Sequence, residues 1–310
     1  MAKAKAEKPG KNSLFSFANA SVADKTFYVV IGIFLTIFLI LVLYPCLFVI
    51  AASFSSGGAV QSGQVYIWPV GFNLNGYNQC FNNPNILIGF RNSIGYTVVG
   101  TLWNISLTMM CAYPMARSDL PGRNIFMFLF SFTMFFGGGM IPSYILNRSL
   151  GLVNTVWVMV LPLSMSVYNM IVARTFIASN IPKDMLEAAS IDGCSDAKFF
   201  TAIVIPLSKA VIAVLVLFYG VGHWNQYFHA MIYLSDRNIF PLQLFLKEIL
   251  LSANIDPSTV SDPELAAQLA TLVEVIKYSV IVVALVPVLL VYPFVQKYFV
   301  KGVMIGAIKG

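Results

Sequence analysis

The chain has 310 residues, of which 58% are hydrophobic and only 10% are charged, and its mean hydropathy is +0.78. Soluble globular proteins carry about 25% charged residues, so this composition excludes that class and indicates an integral membrane protein. The formal net charge of +6 comes from lysines and arginines that lie mostly singly between apolar blocks. That pattern is typical of membrane topology signals and speaks against nucleic-acid binding.

The first part of the chain predicts a tail, a span and a loop. Residues 1–26 are rich in lysine, which is typical of a cytosolic tail. Residues 27–50 contain no charged side chain and exceed the ~20 residues that a bilayer core requires. Residues 53–90 also lack Lys, Arg, Asp and Glu, but glycine, proline and asparagine interrupt any regular period. We therefore expect an extracytoplasmic loop there.

Three further spans are expected in the middle of the chain. The basic turn at 117–123 is of the cytosolic type. Gly137–Gly139 is expected to be a loop or a helix-packing feature, with a gate hinge as the alternative. Pro162 is interpreted as a kink inside a helix, which neighbouring helices can tolerate. The second span is predicted at 92–113, the third at 125–145 and the fourth at 153–176.

The fifth span is predicted at 203–234 and the sixth at 274–295, so the membrane domain extends over 27–296 and a tail follows at 297–310. Six spans put both termini on one side. If the two tails, the 117–123 turn and the 174–209 region are cytosolic, they contain 14 of the 19 lysines and arginines. The positive-inside rule therefore predicts cytosolic termini.

No motif in the sequence indicates an enzyme. The patterns of a nucleotide-binding loop, a zinc protease and a nucleophile elbow are all missing. His223 and His229 are six residues apart, which does not put them on one helical face for a metal. The cysteines are interpreted as apolar fillers, with a Cys46–Cys80 disulfide as an open alternative. If the protein transports a solute against its gradient, the energy must come from an ion gradient or from an ATPase in another chain.

A polar segment at 180–206 interrupts the apolar spans and has the features of an ordered helix pair. Asp184 and Glu187 fall in the first turns after a proline, where the helix dipole favours carboxylates. Gly193 is suited to end that helix, and Ser195 is suited to begin a second one.

One face of the first helix is predicted to dock against another surface. Met185, Ala188 and Ala189 are spaced i, i+3 and i+4, so they share a face of mostly small side chains. The alternative is an amphipathic helix that lies in the lipid interface. Because alanine inserts poorly into lipid and no tryptophan is nearby, docking into a protein groove is favoured.

This segment resembles the EAA loop of the permease subunits of bacterial ABC importers. The matching residues are Glu187-Ala188-Ala189, Gly193, Ile203, Ile205 and Pro206, with Ile205 at a position where leucine is commoner. Asn92-Ser93, Trp224-Asn225 and the basic tail after Gln296 resemble the maltose-permease type of sugar importer. The ending Q-K-Y-F-V-K-G-V-M-I-G-A-I-K-G resembles its polysaccharide and complex-oligosaccharide subgroup.

The resemblance implies an all-α, MetI-like permease in the bacterial cytoplasmic membrane. It implies a second homologous permease subunit, two ATPase subunits that hold ATP and Mg, an extracytoplasmic solute-binding protein and a carbohydrate substrate. This chain itself would bind no cofactor. The motif assigns ATPase coupling to Glu187, Ala188, Ala189, Asp192, Gly193, Ile203 and Pro206.

Polar side chains within spans favour the bundle interior or a water-filled cavity. On this ground the expected substrate path comprises Asn104, Tyr168, Asn169, His223, Trp224, Asn225 and Gln226. An indole can stack on a sugar and an amide can bond its hydroxyls, which favours Trp224 and Asn225. The alternative is that Trp224 belongs to the outer aromatic belt and that His223 is an interfacial histidine.

Three other functions compete with this interpretation: an ion-coupled secondary transporter, an ABC permease for a solute that is not a sugar, and a membrane scaffold. An ion-coupled transporter would need charged residues inside its spans. No Asp or Glu lies near the centre of a predicted span. A scaffold would leave the spaced motif unexplained.

Overall fold

The computed structural model describes residues 21–252 and 263–307, and these form α-helices joined by turns. The predicted N-terminal tail lies outside the described residues up to residue 20, and its last residues belong to the first helix. In chain order the helices are α1 (Val22–Ser53), α2 (Gly57–Gln61), α3 (Asn75–Asn82), α4 (Pro84–Ala116), α5 (Arg123–Phe135), α6 (Met140–Ser149), α7 (Val167–Asn180), α8 (Lys183–Ile191), α9 (Asp196–Phe199), α10 (Ile205–Leu207), α11 (Lys209–Trp224), α12 (Tyr227–Tyr233), α13 (Leu242–Ser252) and α14 (Pro263–Ala307).

Three helical stretches are long and apolar enough to cross a membrane: α1, α4 and Val273–Pro293 within α14. Two bent helix pairs also qualify if each pair counts as one span, which brings the candidates in the described chain to five. α7 is too short on its own, because its 14 residues extend only about 21 Å. The chain is thus an integral membrane protein, and the number six stays a prediction.

The third predicted span is broken. α5 and α6 meet at an angle of 111°, and Gly137–Gly139 forms the corner between them. Gly139 has a φ of +85°, a conformation that a side chain disfavours. The region predicted as the third span at 125–145 thus consists of two helices, and the expectation of a loop at the three glycines is confirmed.

The fourth predicted span is not a continuous helix either. Residues 153–166 contain only a 3₁₀ turn at Val156–Met159, and Pro162 lies outside any helix. The helix begins again at Val167, where the Ser166 hydroxyl accepts a hydrogen bond from the Asn169 amide at 3.4 Å. Pro162 therefore does not kink a helix, because no helix forms around it.

The fifth predicted span is interrupted twice. A π-turn at Phe200–Val204 precedes Pro206, which has no amide proton to continue the ladder, and the chain bends by 79° before α11. α11 then ends at Trp224, well before the predicted end at residue 234. The sixth predicted span agrees better with the structure. Residues 274–295 lie within α14, which continues as a helix to Ala307.

α4 is the central helix of the described chain, with its most extensive contacts to α11 and α7. The three helices are joined by one buried group, the Tyr219 hydroxyl of α11. It lies 2.7 Å from the Thr108 hydroxyl of α4 and accepts the Ser166 amide at the start of α7 at 3.1 Å. Because such groups cannot bond to water inside a bilayer, these pairings stabilise one arrangement of the helices.

α4 and α11 approach each other closely at Gly100. The ring of His223 fills the space that a Cβ at this position would need. Small residues at helix contacts allow this approach in membrane proteins. Gly95 lies on the same helix but has no neighbour within 4 Å of a built Cβ.

We expect Gly100→Ala to destabilise the protein by about 1–3 kcal/mol, because the added methyl overlaps the His223 ring. Gly95→Ala is the matched control and should leave stability unchanged or raise it slightly through helix propensity. Thermal unfolding in detergent measures both. Equal melting temperatures for the two variants would contradict the close contact.

Candidate functional site

The 180–206 segment begins with α8, whose end is defined by a Schellman motif. The Cys194 amide donates to the Ala189 carbonyl at 2.9 Å, and the Gly193 amide donates to the Ser190 carbonyl at 3.1 Å. Gly193 has a φ of +74°, which confirms that it ends the helix. A built Cβ there meets no atom within 4 Å, so the constraint is conformational and not steric crowding.

The second half of the segment starts at Ser195, as predicted. The Ser195 hydroxyl accepts the Lys198 amide at 3.3 Å and caps α9. Phe199 and Val204 are fully buried, and Ile203 is half-buried against the same core cluster. Pro206 is exposed. The segment is thus attached through its second half and exposed along its first helix.

Met185 and Ala188 of the expected docking face of α8 are exposed, but Ala189 is not. Ala189 is only 8% exposed and packs in the chain's own core together with Leu186. The expected docking face of Met185, Ala188 and Ala189 is therefore wrong with respect to Ala189. The outward face has i, i+3, i+4 and i+7 spacing and consists of Asp184, Glu187, Ala188 and Ile191.

This outward face combines acidic and apolar groups. Ile191 is 87% exposed, and Asp192 beyond it is also exposed. This face thus presents Ile191 beside the carboxylates of Asp184 and Glu187. Among the described residues, no group of His, Cys, Asp and Glu side chains could hold a metal.

Sequence reasoning missed Arg117, which follows the last residue of α4. Its guanidinium donates to both carboxylate oxygens of Asp119 and to Asp196 of α9. The hydrogen bonds from Arg117 lower the pKa of Asp119 to about 2, so this carboxylate is charged throughout the physiological range. The sequence marked 117–123 only as a basic turn, and the partner at residue 196 is distant in the chain.

The residues expected along the substrate path do not meet in one cavity. Asn104 is buried and donates to the Leu163 carbonyl at 2.9 Å, while Asn169 is buried and Tyr168 is exposed. The Gln226 amide pairs with His223 at 2.9 Å. Four of these side chains thus lie in internal packing or internal pairs of the chain.

Trp224 and Asn225 also form contacts within the chain. The buried Trp224 indole donates to the Ala284 carbonyl of α14 at 3.1 Å and packs near Phe90. The Asn225 amide donates to the Val221 carbonyl one turn earlier, and its side chain is exposed. The Trp224 N–H is thus engaged within the chain and its side chain is largely buried, whereas Asn225 and Tyr168 stay accessible.

A groove of about 390 Å³ runs between α4, α11 and α14. Its walls are almost entirely apolar and include Ile94, Leu217 and Val291. Of the expected path residues only Trp224 lines it. Its chemistry suits an apolar occupant and not a sugar.

Two known proteins are similar to this chain over most of its length. Protein LplC of Bacillus subtilis (strain 168) is 40% identical over 266 residues, which cover 86% of this chain and 89% of LplC. The polygalacturonan/rhamnogalacturonan transport system permease protein YtcP of the same strain is 39% identical over 287 residues, 93% of this chain and 99% of YtcP. No family model matches the chain.

A solved structure also matches. A chain from a bacterial ABC transporter involved in the import of the acidic polysaccharide alginate superimposes with a TM-score of 0.82 and 32% sequence identity. The match covers 90% of this chain and 99% of that chain. The likeness therefore extends over nearly the whole helix arrangement.

Substitutions at the two neighbouring alanines of α8 should affect the stability of the protein differently. Ala189→Leu should destabilise the protein by about 1–3 kcal/mol, because Ala189 is enclosed by the core. Ala188→Leu should leave stability unchanged, because its side chain is exposed. Thermal unfolding in detergent distinguishes them, and an equal loss in both variants would contradict the described orientation of α8.

Proposed function

Because this chain belongs to the permease family of carbohydrate ABC importers, we propose that its 180–206 segment couples the substrate path to partner ATPase subunits. Two such subunits bind ATP and Mg, and this chain contributes no ATPase site. A second, homologous permease completes the path, and a solute-binding protein delivers the carbohydrate. Six spans with both termini in the cytosol are part of the same proposal.

The observation that carries the coupling role is the geometry of α8. Its exposed face bears Glu187 and Ala188, and its end is rigidly defined by the backbone of Gly193. A short helix of this kind can enter a groove of another subunit and move as a unit when that groove moves. In the proposal Glu187, Ala188, Asp192 and the added Ile191 contact the ATPase. Ala189, Ile203 and Pro206 act by holding α8 against the chain.

The substrate path is proposed to run along those parts of the helix bundle where polar side chains are accessible. Asn225 and Tyr168 are exposed, whereas Asn104 is buried and has an Oδ1 atom with no hydrogen-bond partner in the described chain. Amide and phenol groups of this kind bond sugar hydroxyls. His223, Gln226 and Trp224 are then supports of this surface and not contacts of the sugar.

The substrate is proposed to be an acidic oligosaccharide. The name of YtcP refers to polygalacturonan and rhamnogalacturonan, and the alginate importer is described as acting on an acidic polysaccharide. In this chain Arg91, Arg148 and Lys247 belong to the side away from the 180–206 segment, and the described residues offer them no carboxylate partner. Cations of this kind favour the approach of an anionic sugar.

The mechanism of energy coupling is tested by uptake into proteoliposomes that contain the complete complex. We expect uptake to require ATP, to stop with vanadate and to be unaffected by a protonophore. Uptake that a protonophore abolishes, with no need for ATP, would instead support an ion-coupled secondary transporter.

Gly193→Asp should uncouple ATP hydrolysis from uptake while the complex stays assembled. An aspartate in this left-handed conformation costs about 1 kcal/mol and displaces the end of α8. Gly151→Asp is the matched control: Gly151 has a φ of +69°, also with no atom within 4 Å of a built Cβ, but follows α6. Normal transport by Gly193→Asp, or equal losses in both variants, would contradict the coupling role.

The substrate class predicts a charge preference. With the binding protein present, oligogalacturonides should stimulate ATP hydrolysis by the complex, and neutral oligosaccharides of equal length should not. Replacing Arg91 or Lys247 by Gln should reduce the stimulation and its dependence on salt. Equal stimulation by neutral and acidic sugars would argue against an acidic substrate while leaving the ABC mechanism intact.

A further inference from the structure

Arg117 occupies the junction between α4 and the 180–206 segment. It directly follows α4, and its side chain is 22% exposed. The guanidinium donates to two carboxylates that differ in location. Asp119 belongs to the same turn as Arg117, whereas Asp196 belongs to α9 in the 180–206 segment. Only the second ion pair therefore joins two separate parts of the chain.

Aromatic packing supports the same junction. Tyr113, one turn before Arg117, accepts a hydrogen bond from its guanidinium at 3.3 Å. The ring of Tyr113 lies 5.3 Å from that of Phe200 and 6.3 Å from that of Phe199. Phe199 is fully buried. Polar and apolar contacts thus attach the same turn of α9 to the end of α4.

α4 connects the contacts at Arg117 with a second set of contacts near its other end. It is one helix of 33 residues, about 50 Å long. Near its other end Asn92 donates to the carbonyls of Asn238 and Phe240 at 2.8 and 3.0 Å, and Ser93 accepts the Leu242 amide at 2.9 Å. A displacement of α4 at Arg117 would therefore reach the segment that connects α12 and α13.

We propose that Arg117 is a positioning residue that couples α4 to the 180–206 segment through Asp196. When a partner moves α8 and α9, the Arg117–Asp196 pair and the Tyr113–Phe200 contact make α4 follow. α4 then shifts the buried Asn104 with its bond to the Leu163 carbonyl, and the contacts at Asn92 and Ser93. This inference rests on the proposed function and adds the connection by which movement leaves the 180–206 segment.

The geometry of the guanidinium group explains why an arginine suits position 117. A guanidinium presents several N–H groups in one plane, so it can hold Asp119 with two of them and still reach Asp196 and Tyr113. The Asp119 pair joins Arg117 only to its own turn. The Asp196 pair then uses the remaining donors between the two elements.

Removing the charge of Asp196 or of Asp119 gives a matched pair of variants that tests the proposal. Asp196→Asn weakens the pair between α4 and α9, and Asp119→Asn weakens only the pair within the turn. The two aspartates are 68% and 59% exposed, so neither change should alter thermal stability measurably. The readout is uptake per ATP hydrolysed by the complete complex in proteoliposomes.

We expect Asp196→Asn to lower uptake per ATP about two- to five-fold, which corresponds to the loss of one partly exposed ion pair. Asp119→Asn should stay near the wild-type ratio, and Asp196→Glu should restore most of it by keeping the charge. Equal ratios for Asp196→Asn and Asp119→Asn, whether both are lowered or both are normal, would overturn the inference.

The result separates this inference from the proposed function. If Gly193→Asp uncouples the complex and Asp196→Asn does not, the 180–206 segment couples by another contact and only the role of Arg117 is wrong. If wild-type uptake does not depend on ATP, the proposed function itself fails.

Discussion

α4 is the helix on which the rest of the described structure depends. It crosses the bundle without interruption, and α7, α11 and α13 all pack against it. The close contact at Gly100 and the shared bonds of Tyr219 determine how α7 and α11 sit beside it. In a bilayer such contacts are not replaced by water, so each polar pairing between helices restricts their arrangement.

Two other apolar stretches of the described chain are bent where α4 is continuous. α5 and α6 turn at three glycines, and the chain bends at the π-turn and Pro206 before α11. Breaks of this kind expose backbone groups, and a membrane protein tolerates them where they are buried in protein or line a water-filled cavity. The described chain thus combines a continuous helix with interrupted ones.

The 180–206 segment has a division of roles that its motif does not reveal. Leu186 and Ala189 face the core, whereas Glu187 and Ala188 face outwards on the same short helix. A residue that recurs in a coupling motif can therefore serve packing while its neighbour serves contact with a partner. Likewise, Trp224 looks like a sugar contact in the sequence, but its indole N–H bonds to the Ala284 carbonyl within the chain.

The sequence by itself determined the membrane class, the loop motif and the local signals of Gly193 and Ser195, because composition, spacing and capping act over a few residues. It also located the long helices, although it extended the fourth and fifth predicted spans over residues that do not form one continuous helix. Only the tertiary structure decided that α8 turns Ala189 inwards, that Trp224 bonds to Ala284 and that Arg117 reaches Asp196. These features depend on which distant segments lie side by side, and no short-range pattern of apolar and polar residues encodes that choice.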